Sequence, residues 1–362
     1  MDMKFQGYRK KTKEEIDFLW KNAIFTFDTN SLLNLYRYSE TTRKDVFEII
    51  SKLEDRIFLT HQVAFEFNKN RFENINNIIK SKNDFLKNLD MINTQISKNS
   101  EQILSNYLSD KFSSFLEQIK TEIDSKIEFF NKLFNDDLIF NSINHLFNDK
   151  ILQEFEGEKI NHIKKIGEIR YSNKTPPGYS DAKKEENKFG DLIIWMEIME
   201  YAKKIGKPVI FISDDNKEDW IWKLKDGKII GARPELIQEF YKETDQAFHL
   251  YKTNSFVKYG SIQLNENIDS GTIEEVTKIN KEISLSEFAE YLGSLDDKTI
   301  EEKLRILTPR EADILRLNLG FNGKHKLSLR EIAETFDIEL DRAITLRSNA
   351  MRKLRRATSN IE

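Results

Sequence analysis

Residues 23–31 read Ala-Ile-Phe-Thr-Phe-Asp-Thr-Asn-Ser, and residues 208–216 read Pro-Val-Ile-Phe-Ile-Ser-Asp-Asp-Asn. Each is a short apolar run that ends abruptly in acids and small polar side chains. A run of four or five apolar residues is too short for a buried helix and too uniformly apolar for a half-solvated strand. It suits a strand covered on both faces, as in a parallel sheet. Working outward, Arg56–Thr60 (RIFLT) reads as another such strand and Phe248–Tyr251 (FHLY) as a weaker one. Helical stretches fall between them: Leu32–Tyr38 continuing through Thr42–Leu53, His61–Arg71 carrying Glu66, and the run that opens Gly190-Asp191-Leu192-Ile193. Strands alternating with helices define an α/β class with a parallel sheet.

Residues 72–166 break that rhythm. They contain no proline and a single glycine, Gly157, and apolar residues recur at three- and four-residue steps (Phe112, Phe115, Leu116, Ile119, Ile123, Ile127, Phe130). Two or more amphipathic helices inserted into the α/β unit are expected, with the phenylalanines as core. Tyr171–Lys188 is a polar loop turning at Pro176-Pro177-Gly178. Residues 263–282 are polar and poor in aromatics, the composition of a linker. The expected division is an α/β domain over 1–262, a linker, and a small all-α domain over 283–362.

Composition excludes several classes. The chain has 362 residues, 39% of them hydrophobic, enough for two or three packed domains. No cysteine is present, so neither disulfides nor thiolate metal sites are available. The five histidines follow no HExxH or HxxxH spacing, which argues against a zinc hydrolase. No run of about 18 apolar residues calls for a membrane. The N-terminal stretch lacks an apolar signal core, so the cytoplasm is the expected location. The net charge of −4 does not announce a nucleic-acid binder. A local basic face does exist, however, in the acid-free basic set Arg342, Arg347, Arg352, Lys353, Arg355 and Arg356.

Acids stand where an open α/β sheet binds ligands, at the carboxyl ends of its strands. Asp28 follows the first strand, Asp214 and Asp215 the later one, and Asp219 lies one turn on. Glu66 sits in the helix after the second strand and Asp191 at the head of another. Any one of them alone reads as a helix cap or turn former. Together in one crevice they would repel each other unless cations neutralised them. Carboxylates are the ligands Mg²⁺ and Mn²⁺ take, and one or two such ions suit phosphodiester hydrolysis.

The segments FTFDTNSLLNLYRY, FLTHQVAFEFNKNR, PPGYSDAKKEENKFGDLIIWMEI, VIFISDDNKEDW and GARPELIQEF together resemble a PIN-like family with a long helical insertion, over about Lys13–Tyr259. The resemblance implies a Rossmann-type three-layer α/β/α sandwich and a divalent-metal nuclease, most often cutting RNA. It makes Asp28, Glu66 and Asp191 successive acids of the site. Asp214 or Asp215 would follow, with Asp219 joining, and Asn30 and Ser213 would orient carboxylates or water. Lys183 and Lys184, ahead of Asp191, suit substrate phosphates as point charges.

At the other end, Thr308-Pro309-Arg310-Glu311 and Ser328-Leu329-Arg330-Glu331 are capping boxes that open helices. A turn at Asp337–Leu340 leads into a basic third helix. The stretch from Leu304 to Arg356 resembles region four of bacterial sigma factors. That resemblance implies a helix-turn-helix with Arg342, Thr345 and Arg347 near bases and Arg352, Lys353, Arg355 and Arg356 near phosphate. Asp337, Glu339 and Asp341 oppose phosphate at the helix start, so DNA docking, RNA docking and a protein–protein contact all stand as readings. The expected activity is an endonuclease, with a toxin or anti-phage role as its extension and a protein regulator or homodimer as further partners. The rival expectations are a transcription regulator with a non-catalytic PIN-like part and an interaction scaffold.

Overall fold

The computed structural model describes residues 5–98, 105–224, 228–293, 295–321 and 326–361. In chain order the main elements are α1 (Lys13–Asn22), β1 (Ile24–Phe27), α2 (Thr29–Leu33), α3 (Glu40–Ser51), α4 (His61–Lys98), α5 (Asn106–Lys132), α6 (Leu138–Phe147), α7 (Gly157–Ser172) and α8 (Gly190–Ile205). There follow β2 (Val209–Ile212), β3 (Ile221–Lys223), β4 (Ile229–Ala232), α9 (Pro234–Thr244), β5 (Phe248–Tyr251), α10 (Thr253–Leu264) and α11 (Thr272–Gly293). The C-terminal helices are α12 (Asp297–Leu304), α13 (Pro309–Leu319), α14 (Leu329–Thr335) and α15 (Leu340–Ile361).

The expected strands at both ends of the argument pair directly. The sheet order is β1-β2-β5, all parallel, with Phe27 opposite Ile212 and Ile212 opposite Tyr251. All residues of β1 and β2 are buried, as two-sided coverage requires. On one face Trp20 of α1 stacks on Phe256 of α10 and Phe25 of β1 lies against both, with α3 and α11 packed outside. On the other, Trp195 of α8 lies tilted against Phe240 of α9 and meets Phe248 of β5 edge-on. The result is a three-layer α/β/α sandwich.

Arg56–Thr60 differs from its expectation. It makes one parallel bridge to β1 through Ile57–Phe25 and another to the insertion through Leu59–Ile151. Phe58 donates its N–H to Phe25, Leu59 donates to Lys150, and Leu152 donates to Leu59. Because the segment divides its hydrogen bonds between two partners, it is extended without a ladder of its own. A second difference is the antiparallel pair β3–β4, which no alternation pattern announced.

The insertion has no boundary at Phe72. α4 is one helix of 38 residues that carries Glu66 in its second turn and continues outward for about 57 Å in all. It packs along α5. Leu133, Ile139, Ile143, Phe147 and Ile163 belong to the same core as the sheet, so the base of the insertion is part of the domain. The buried Asp137 carboxylate fastens it, accepting from Tyr36 Oη at 2.7 Å and Arg71 Nη1 at 3.3 Å.

The expected linker over 263–282 is also corrected. Residues 272–282 form the first half of α11, which lies on α3 and α10. Val276 is fully buried, Thr272 Oγ1 donates to Asp45 Oδ2, and Glu275 accepts from Ser39 and Thr42. Part of the polar composition there, at Thr272 and Glu275, reflects hydrogen bonds to α3 and its cap. The same helix delivers Phe288, Ala289 and Leu292 to a second, smaller core with Ile300, Leu304, Leu315, Phe321, Ala350 and Leu354. Among the described residues no helix is long and apolar enough to cross a membrane.

Candidate active site

The parallel ladder sets the first contact. Asp28 N–H donates to Ile212 O at 2.8 Å and Ser213 N–H donates to Tyr251 O at 2.9 Å, so both side chains leave the sheet side by side at its carboxyl edge. Ser213 Oγ donates to Asp28 Oδ2 at 2.9 Å and accepts from Asp215 N–H at 3.1 Å. Asp28 Oδ1 caps α2 by accepting from Thr29 N–H at 2.8 Å. The capping role and a place in the site are therefore compatible.

Asp191, in the first turn of α8, and Asp215 approach from the other side, and Asp181 joins them from the polar loop. Lys217 Nζ lies between the three, 2.9 Å from Asp181 Oδ2, 3.0 Å from Asp191 Oδ2 and 3.1 Å from Asp215 Oδ2. Asp219 is fully buried; its Oδ2 accepts from Gly178 N–H and Ser180 N–H, both at 2.9 Å, while its Oδ1 has no hydrogen-bond partner. Glu66 forms the rim: Oε2 accepts from Thr29 Oγ1 at 2.9 Å, and Oε1 accepts from Gln62 and Asn187 amides, each at 2.8 Å.

The electrostatics are those of an under-neutralised hollow. Burial, then the charges of Asp215 and Asp191, push the Asp28 carboxyl well above the usual carboxylate range. Burial raises Asp191 too, against the pull of Lys217. Burial and Asp215 raise Asp219. Asp215 goes the other way: burial opposes its charge, but the Lys217 ammonium, the Lys217 N–H and Lys252 together hold it below its ordinary value.

Asp214 turns away from this hollow. Successive residues of an extended chain point to opposite sides. Its Oδ1 accepts from Thr253 N–H at 3.0 Å and Asn280 Nδ2 at 2.8 Å, and its Oδ2 from Thr253 Oγ1 at 2.7 Å and Asn34 Nδ2 at 3.0 Å. Four donors use both oxygens fully, so Asp214 ties α2, α10 and α11 to the sheet edge and has no lone pair to spare for an ion. Asn30 sits in α2, and among the described residues its side chain makes no hydrogen bond to these acids. Lys184 pairs with Asp181 at 2.9 Å, and Lys183 is exposed.

Sequence reasoning missed Lys217, Asn187, Gln62 and Thr29. Lys217 carried a signal: a lysine two residues beyond an acid pair, ahead of Asp219, on a turn that closes with its own N–H on Asp215 Oδ1 at 2.7 Å.

The donor set is made of hard carboxylate oxygens, one of them orphaned and buried in Asp219, with more negative charge than its lysines offset. That chemistry fits a divalent cation. Among the described residues no three acidic or histidine side chains are gathered so as to hold an ion as they stand. The Lys217 ammonium takes that central place.

In the C-terminal module, Thr308 and Ser328 form the two capping boxes with Glu311 and Glu331. Arg342 and Thr345 are exposed on α15. Three of the expected contacts are engaged within the module: Arg347 Nε donates to Asn318 at 3.0 Å, Arg352 to Ser348 O and Asn349, and Lys353 Nζ pairs with Glu311 at 2.7 Å. The side chains of Arg355 and Arg356 lie outside the described residues.

Residues 304–356 match the family model for sigma-70, region 4. No solved structure matches the chain. Residues 24–236, the span that supplies every strand but one and all the acids of the hollow, match the family model described as a PIN like domain, and the chain belongs to that family.

Proposed function

We propose that the chain is a divalent-metal-dependent nuclease that hydrolyses phosphodiester bonds, RNA being the first substrate to try. One observation carries this reading. Asp28, Asp191 and Asp215 come from three separate segments and meet at the carboxyl edge of a parallel sheet, Asp28 and Asp215 buried and Asp191 half-buried, in numbers that their cations do not balance. A fold does not collect such charges for stability, because each buried carboxylate costs several kcal/mol unless paired.

Asp28, Asp191 and Asp215 would hold Mg²⁺ or Mn²⁺, with Glu66 and Asp219 at the margins. When bound, such an ion supplies the Lewis acidity that phosphodiester hydrolysis requires. Ser213 keeps the Asp28 carboxylate turned inward by its hydrogen bond. Thr29, Gln62 and Asn187 fix Glu66 at the rim. The polar loop, strapped down through Asp219, closes one side and limits water. In the reaction, a water oxygen forms the new bond to phosphorus. The bond from phosphorus to the 3′ oxygen breaks, and a proton ends on that oxygen, giving a 3′-hydroxyl and a 5′-phosphate. A role in toxicity or anti-phage defence extends the same activity.

The test is incubation of the purified chain with total RNA, single-stranded DNA and duplex DNA in Mn²⁺ or EDTA, followed by mapping of the ends. Asp28→Asn abolishes Mn²⁺-dependent cleavage while the folded state survives; cleavage retained by that variant rejects the assignment. The rival reading, a nucleic-acid-binding regulator with a non-catalytic first domain, draws on the ammonium at the centre of the acids. It requires that the wild-type chain bind no Mn²⁺.

A further inference from the structure

Lys217 is the residue in this hollow that the nuclease reading does not use. An ammonium has three N–H donors, and here each faces a carboxylate from a different segment: the polar loop, α8 and the turn after β2. This is what a small cation does in such a place. The root of the side chain is fixed. Lys217 N–H donates to Asp215 Oδ1, and the carbonyls of Asp215 and Asn216 accept from Lys252 and Lys223. The tip is held by those three carboxylates alone, and the Lys217 side chain keeps 30% of its surface exposed, so it is not sealed off from solvent. Beyond its reach, Asp219 Oδ1 stays without a partner. One positive charge therefore does part of a task that two would complete.

We propose that Lys217 is a stand-in for the divalent cation. Its ammonium bridges Asp181, Asp191 and Asp215 and yields those oxygens to an entering ion, its tip moving to solvent. The inference rests on the metal-dependent reading above. Like charges at such short range exclude one another, so ion and ammonium compete for the same oxygens. Metal affinity is thereby set lower than the acids alone would give, and the ammonium offsets part of their mutual repulsion. Lysine suits this exchange better than arginine, being a compact charge on a flexible stem.

The probe is Mn²⁺ alone, titrated calorimetrically into the purified full chain. Lys217→Met binds Mn²⁺ about tenfold or more tightly than wild type, because a competing charge has gone. Its unfolding temperature in EDTA falls, and Mn²⁺ raises it by a larger increment than in wild type. Lys217→Arg keeps the charge and gains no affinity. A purely structural lysine would lower the EDTA value without tightening the metal. Equal or weaker Mn²⁺ binding by Lys217→Met, with wild type binding normally, overturns the stand-in role and leaves the metal-dependent reading intact. No Mn²⁺ binding by either protein overturns both. Should Lys217→Met not fold, the wild-type chain reports directly: acetylation of the Lys217 amine, read by peptide mass spectrometry, speeds up when Mn²⁺ is added. Unchanged or slower acetylation rejects the exchange.

Discussion

The acid hollow and the basic C-terminal helix treat charge in opposite ways. In the hollow, carboxylates are buried beyond what their cations offset, and Asp28, Asp191 and Asp219 are all pushed up in pKa, each by burial first. On α15 the cations sit at or near the surface, and Arg347, Arg352 and Lys353 have partners on their own module. Charge that is buried and under-paired calls for a ligand; charge that is exposed and paired does not. The hollow is thus the stronger functional signal, although the basic run is the more conspicuous one in the sequence.

The largest expected effect separates two adjacent acids. Asp214→Ala orphans four donors, from Asn34, Thr253 twice and Asn280. Buried donors without acceptors cost heavily, so the variant loses about 3 to 5 kcal/mol in urea unfolding. Asp215→Asn keeps the shape but gives up the charge that Lys217 and Lys252 favour, so it costs about 1 to 2 kcal/mol, less than Asp214→Ala, while losing Mn²⁺ binding. Equal destabilisation by the two variants would erase the distinction between a structural acid and a ligand.

That distinction shows what the sequence could and could not carry. β1, β2 and the acids after them were legible because a buried parallel strand must be apolar on both faces and must end where polar side chains begin. On that ground Asp28 was expected at the sheet's carboxyl edge, while Asp191, at the head of a helix, was joined to it through the family resemblance. The choice between Asp214 and Asp215 was not legible, since it depends on which way a single residue points after β2. Lys217 was hidden for a related reason: its partners lie at positions 181, 191 and 215, and only folding brings the first two to it. The supposed linker failed because polar residues look alike whether they face water or, like Thr272 and Glu275, face hydrogen-bond partners on α3.

A pH experiment extends the contrast to the edge of the hollow. Glu197 of α8 is 2% exposed, and burial pushes its carboxyl up to about 7, although Gln62 N–H and Thr60 donate to it. Between about 4.5 and 7 the folded chain therefore holds a proton that the unfolded chain releases. Stability from this group is present at low pH and is lost as pH rises through that window. Glu197→Gln imitates the protonated form. It should match wild type near pH 5 and exceed it by about 2 kcal/mol near pH 8, read from urea midpoints. A variant no more stable at pH 8 than at pH 5, relative to wild type, would mean the carboxylate finds compensation in solution.

Gly190 tests the rim with a smaller change. A Cβ there would lie 2.6 Å from Glu66 Oε1 and 2.6 Å from Asn187 Nδ2. Both atoms are ends of flexible side chains, so the backbone survives but Glu66 must move. Gly190→Ala is expected to lower Mn²⁺-dependent cleavage about tenfold, with an unfolding midpoint close to wild type. Full cleavage would place Glu66 outside the machinery.

The smallest effect falls on the other side of the comparison. Lys353 was expected near phosphate, yet its ammonium lies 2.7 and 2.9 Å from the two oxygens of Glu311, which also closes the capping box of α13. The lysine side chain is half exposed, so solvent screens the pair and its contribution stays within about 0.2 to 1 kcal/mol. Lys353→Met should shift the unfolding midpoint barely at all. Its value lies in duplex binding. A cation already spent on Glu311 releases no counterion, so Lys353→Met leaves the salt dependence of DNA affinity unchanged. Arg342→Ala, on an exposed side chain of α15 expected near bases, weakens specific duplex binding by about 1 to 3 kcal/mol and relaxes base preference. A reduced slope in Lys353→Met would show that the Glu311 pair opens on binding, and the module's paired charges would then count as latent ligands, much as those of the hollow do.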